Sequence, residues 1–139
     1  LDVQFTGMFG RYMTNNERWF TENAAFATDG NQTVNMLNMW TTPGQITDIP
    51  AADANMQFDT HLLEKADFVR LKTLQLSYTL PKSILNATGF INDCKVYFVG
   101  RNLLTFTDYQ GFDPEVDSNI SLGNYPNTRQ YSFGIQMTF

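Results

Sequence analysis

The sequence has 139 residues, enough for one ordinary domain, with 14% aromatic and only 17% charged residues. A formal charge of −5 disfavours nucleic acid, which demands a basic surface, and the single Cys94 excludes an internal disulfide framework or a cysteine-rich zinc cluster. No apolar run reaches the length of a membrane-spanning helix, a criterion that leaves alternating strands untested.

Residues 1–9, LDVQFTGMF, alternate Leu1, Val3, Phe5 and Phe9 with Asp2, Gln4, Thr6 and Met8, which predicts a strand with one apolar and one polar face. Residues 10–67 change character, being rich in Asn, Thr, Ala and Asp and punctuated by Pro43-Gly44 and Pro50. This stretch reads as a long loop, with a short helix over Thr33–Trp40. Its Trp19, Phe20, Met36, Met39 and Trp40 are expected to pack a small core of the loop's own in preference to a ligand.

A second strand is predicted over residues 68–80. From Thr73 onward Leu74, Leu76, Tyr78 and Leu80 alternate with Thr73, Gln75, Ser77 and Thr79, while Arg70 and Lys72 mark a charged rim. Pro81 stops it, and Gly89 turns the short connector to Asp93. Residues 94–106 form a third strand with Val96 and Phe98 on its apolar side, away from Lys95 and Arg101. A polar loop over 107–128 leads to the last strand, 129–139, where Tyr131, Phe133, Ile135, Met137 and Phe139 alternate with Ser132, Gly134, Gln136 and Thr138.

The apolar faces suit two solvents. They fit the core of a soluble β-sandwich, or the lipid around a membrane barrel whose other face is wet. The order long loop, short turn, long loop is that of an outer-membrane barrel.

Catalysis finds little material. His61 and Cys94 stand without a surrounding motif, no acidic pair is defined, and Gly7 and Gly10 lack the strand-to-helix context of a phosphate loop. The chain is expected to be no enzyme and to carry no cofactor. Asp113, Glu115, Asp117 and Asn119 have the every-second-residue spacing of a calcium loop. Ser118 and Asn124 replace the glycine and glutamate such a loop requires, so a solvated acidic loop is favoured over a metal site.

Four ordered pieces carry a resemblance: MWTTPGQITDIP, FVRLKTLQLSYTLP, VYFVGRNLLTFTDYQGFDPE and NYPNTRQYSFGIQMTF. Together they resemble the end of SusC/RagA-family TonB-linked outer-membrane transporters. The resemblance implies an all-β fold of antiparallel up-and-down strands, the C-terminal segment of a transmembrane barrel of roughly 22 strands. Strands 1–9, 68–80, 94–106 and 129–139 would form the wall, and loops 10–67 and 107–128 would be extracellular. It implies a Gram-negative outer membrane and uptake of oligosaccharides or peptides. The implied partners are outer-membrane lipid, the rest of the barrel and its plug, a SusD-like surface lipoprotein, TonB through an upstream segment, and the barrel-assembly machinery. On this reading Thr73, Gln75, Ser77, Gln136 and Thr138 face the lumen, and Leu74, Leu76, Tyr78, Phe133, Ile135 and Met137 face lipid. Phe139 resembles the family's assembly signal. The rival reading is a soluble sandwich that binds carbohydrate on Trp19, Trp40 and Tyr109. Four strands with open edges cannot stand alone in lipid, so either a separate chain is expected to supply the remaining strands or the chain is a piece of a longer polypeptide.

Overall fold

The computed structural model describes residues 1–54, 57–58, 60–87 and 89–139, which form two compact units. The first, residues 1–9, 68–107 and 127–139, is an antiparallel sheet. The second gathers residues 10–67 and 108–126 from both long connectors.

In chain order the elements are β1 (Asp2–Met8), β2 (Tyr12–Thr14), α1 (Asn16–Thr21), β3 (Leu63–Lys65), β4 (Phe68–Thr79), α2 (Lys82–Leu85), β5 (Asp93–Thr107) and β6 (Gln130–Thr138). Short 3-10 turns at Ala24–Phe26, Val34–Asn38 and Thr60–Leu62 complete the connectors. The sheet order is β1-β4-β5-β6, each strand antiparallel to its neighbour, as an up-and-down meander requires. β4 and β5, at 12 and 15 residues, exceed the roughly ten that a tilted strand needs to cross a bilayer. Among the described residues no helix is long and apolar enough to cross one.

Register explains why alternation in β4 is clean only from Thr73. Gln4 pairs with Thr73 but Phe5 pairs with Leu71, leaving Lys72 as an extra residue opposite β1. Val3 pairs with Leu74, so β1 carries the apolar face from the even-numbered residues of lower β4 onto odd-numbered Leu71 and Val69. The disturbance continues into β5, where Leu71 pairs with Leu104 and Thr73 with Arg101, and where Asn102 takes a positive φ of 52°.

The second unit has a core of Met13, Ala66 and Tyr109, with Val116 packed against it; Leu62 and Ile49 are also buried. This corrects the expected loop core. Phe20 and Trp40 are half-exposed, Phe20 leans on Phe26, and Trp19 tilts against Phe58. Met13, in the middle of β2, and Ala66, just after β3, are brought into one core because these strands pair across 49 or more residues, with Tyr12 opposite Lys65. The helix expected over Thr33–Trp40 is a 3-10 turn, Val34–Asn38.

Candidate functional site

The sheet separates its residues into two chemically different surfaces. Cross-strand partners share a face. One face carries the rows Leu76–Phe98–Phe133, Tyr78–Val96–Ile135, Leu74–Gly100–Tyr131 and Cys94–Met137, continued past the bulge by Phe5–Leu71–Leu104 and Val69–Phe106. Apart from Gly100 these are apolar or aromatic side chains, and Phe133 is 82% exposed with Ile135 at 62%. Phe98 contacts Phe133 at 4.9 Å and stacks on Tyr131 at 6.3 Å between ring centroids. Leu1, Leu76, Tyr78, Val96, Phe98 and Phe133 line a shallow groove of about 360 Å³ on this face. An open apolar surface of this extent is not left to water.

The opposite face carries Gln4–Thr73–Arg101–Gln130, Gln75–Val99–Ser132, Ser77–Tyr97–Gly134, Thr79–Lys95–Gln136 and Asp93–Thr138. The register therefore gathers Thr73, Gln75, Ser77, Gln136 and Thr138 on one side, and Leu74, Leu76, Tyr78, Phe133, Ile135 and Met137 on the other. Arg70 belongs with the polar side: its Nε donates to Thr105 Oγ1 at 2.8 Å and its guanidinium lies 5.8 Å from the centre of the Phe68 ring. It is only 3% exposed, so it is no solvated rim charge. Tyr97 lies across Gly134, where an added Cβ would overlap its ring. Pairing across 37 positions brings these two together, and no local signal in either strand announces it.

The turn end of the sheet places Phe90 parallel to Phe139, 6.2 Å apart, while Asn92 N–H donates to the Thr138 carbonyl at 2.7 Å. Gly89, at φ 74°, makes the turn.

The connector unit is held by polar contacts. Arg11 Nη1 donates to the Pro114 carbonyl at 3.1 Å, and Nη2 to those of Val116 and Ser118 at 2.5 and 2.6 Å. The segment read as a possible calcium loop thus turns its carbonyls on a guanidinium. Asp113 Oδ1 accepts from Glu115 N–H at 2.9 Å, and the Asn119 carbonyl accepts from Thr14 N–H at 2.8 Å. Among the described residues no three His, Cys, Asp or Glu side chains are grouped to hold a metal. Arg18 bridges Glu22 at 2.7 Å and Glu64 at 3.2 Å. Burial alone would lower its pKa, but the two carboxylates more than offset this and raise it. The backbone N–H of Arg11, seconded by Lys65, holds the Asp67 carboxyl below the ordinary carboxylate range. Cys94 is buried in β5 of the sheet unit, and His61 lies in the turn before β3 of the connector unit. Nor do Trp19, Trp40 and Tyr109 form a stacking platform, since Tyr109 is 6% exposed within the core.

No protein-family model matches the chain. It is 38% identical over 122 residues to TonB-dependent receptor P3 of Formosa agariphila, covering 78% of this chain and 12% of the relative. It is 29% identical to TonB-dependent receptor P39 of the same organism, over 72% of this chain and 11% of the relative. Among solved structures, the RagAB peptide transporter matches 99% of the chain at 46% identity and a TM-score of 0.89. The RagAB peptide importer in its open-open state matches at 0.90. The chain spans about 15% of those transporter chains. These relatives are receptors and transporters.

Proposed function

The chain belongs to the SusC/RagA family of TonB-dependent receptors, and from that premise we propose that it is a wall segment of an outer-membrane nutrient importer in a Gram-negative bacterium. The two-faced register of β4, β5 and β6 carries the reading. Its apolar rows meet lipid, and Thr73, Gln75, Ser77, Gln136 and Thr138 border the lumen or the plug. Both long connectors leave the same end of the meander, which supports the reading of residues 10–67 and 107–128 as extracellular and Pro81–Asp93 as periplasmic. At that periplasmic rim Phe139, stacked on Phe90, serves as the signal read by the barrel-assembly machinery. The bare edges of β1 and β6 pair with the remaining strands, since unpaired backbone groups in lipid cost several kcal/mol each. A SusD-like surface lipoprotein caps the assembly, and TonB acts through a segment upstream.

Peptide is the better-supported cargo, because the 46%-identical neighbours are peptide transporters; oligosaccharide is the alternative. A soluble carbohydrate-binding sandwich lacks a second large sheet among the described residues, where only β2–β3 accompanies the meander. The test uses the full-length receptor in liposomes containing nitroxide lipids, with a fluorophore on a cysteine at position 135 or 136. Strong quenching at 135 and little at 136 is expected. Equal quenching at both overturns the face assignment.

A further inference from the structure

One row of the polar face crosses every strand of the sheet: Gln4 on β1, Thr73 on β4, Arg101 on β5 and Gln130 on β6. With neighbouring strands about 4.8 Å apart the row runs about 14 Å, the length of roughly four extended peptide residues. Gln4, Arg101 and Gln130 are exposed, and Thr73 is half-buried. Among the described residues these four side chains make no hydrogen bond or ion pair with one another or with any neighbour. Arg101 thereby differs from Arg11, Arg18 and Arg70, whose guanidiniums are engaged by carbonyls, carboxylates and a hydroxyl respectively. The carboxylates of this face stand in other rows, Asp2 opposite Gln75 and Asp93 opposite Thr138.

The ladder itself sets this row apart. Between the pairs Leu71–Leu104 and Thr73–Arg101, β4 spends one residue and β5 two, and Asn102 takes its positive φ there. Bulges of this kind re-aim side chains at barrel rims and beside functional sites. Arg101–Gln130 is also the last β5–β6 pair before the 107–128 connector. On the extracellular reading of that connector, the row stands toward the end of the wall where cargo arrives. A guanidinium offers five donors in a planar fork that matches a carboxylate, and each flanking amide can both donate to and accept from a peptide group.

We propose that Arg101 binds a carboxylate of a peptide in transit, its C terminus or an acidic side chain. Gln4, Thr73 and Gln130 exchange hydrogen bonds with the adjoining peptide groups. The assignment rests on the lumen-facing and peptide-import readings of the wall.

The test is equilibrium binding of the purified full-length receptor to three synthetic peptides of equal length. One has a free C-terminal carboxylate and no acidic side chain, one is its C-terminal amide, and one is that amide with a single glutamate. At low salt at least one carboxylate peptide is expected to bind about tenfold more tightly than the plain amide, and which one does so identifies the bound group. Arg101→Gln, at an exposed position, is expected to reduce that ratio to about twofold or less. Arg101→Lys, a point charge without the fork, should restore part of it. In a Cys94→Ser background, Arg101→Cys is expected to react with a charged thiol reagent, and more slowly once peptide is bound. Equal affinities for the three peptides, or an unchanged ratio in a folded Arg101→Gln receptor, overturns the proposal while leaving peptide import intact. So does an Arg101→Cys receptor that is folded but unreactive, because the row is then covered by the plug. Quenching of a fluorophore at Arg101→Cys by nitroxide lipids overturns the face assignment, and failure to bind any of the peptides overturns the peptide-import reading, each taking this assignment with it.

Discussion

Arg11 shows how one side chain can occupy the place of an ion. Its guanidinium satisfies three carbonyls of the 114–118 stretch, and its own N–H donates to Asp67 at 2.9 Å. Arg11→Gln is expected to destabilise the connector unit by about 2–4 kcal/mol, since charge-assisted bonds are lost and carbonyls are left short of donors. Faster hydrogen exchange over residues 113–121 in the full-length receptor would register it; unchanged exchange would contradict the role. Asp67 adds a pH dependence of known sign. Its folded carboxyl is held below the ordinary range by Arg11 N–H and Lys65, so its contribution is complete above that range and fades as pH falls through its lowered value. Proteolysis of the connectors should therefore quicken in acid below about pH 4, and Asp67→Asn should flatten that limb. Gly134 is a second residue-scale constraint. Gly134→Ala forces the Tyr97 ring aside and is expected to cost about 1–3 kcal/mol, less when Tyr97→Ala is present, a coupling that a double-mutant cycle measures.

Among the elements, β6 gives the sharpest contrast between adjacent residues. Ile135→Lys, on the apolar face, is expected to impair assembly by about 2–4 kcal/mol if it lies at the bilayer midplane, while Gln136→Lys should be tolerated. Heat-modifiable migration of the full-length barrel reads both, and equal damage at the two sites would deny the faces their roles. The four strands were legible in the sequence because each carries a period of two that needs no distant information. The face of upper β4 was not, because Lys72 breaks the count and the partners that show which way the pattern resumes lie in β1 and β5, 33 to 66 residues away. The core of the connectors was hidden for a similar reason. Tyr12–Thr14, Leu63–Lys65 and Tyr109 are too short and too far apart to signal one another, whereas the tryptophans that drew notice sit nearer the surface. The acidic spacing at 113–119 was visible, but the basic partner in its concavity lies 103 to 107 residues upstream.

At the level of the molecule, the sheet and the connector unit are stabilised by different means. Among the described residues the sheet has few buried side chains and its β1 and β6 edges are unpaired, so on the barrel reading its stability comes from the neighbouring strands. The connector unit has a hydrophobic nucleus and closes on itself through backbone bonds: Thr14 N–H to the Asn119 carbonyl at 2.8 Å, and Ser121 N–H to the Thr14 carbonyl at 3.0 Å. That closure predicts which residues must change together between relatives. Residues 10–67 and 108–126 are separated by a complete hairpin of the wall, yet each supplies what the other lacks: the guanidinium from one, the carbonyls that receive it from the other. Recombination that moves one stretch without the other would break the clasp and strand the core halves apart, whereas moving both keeps the guanidinium, its carbonyls and the core together. Inheritance in this region should therefore run in discontinuous blocks, with the strands between them free to follow a different history.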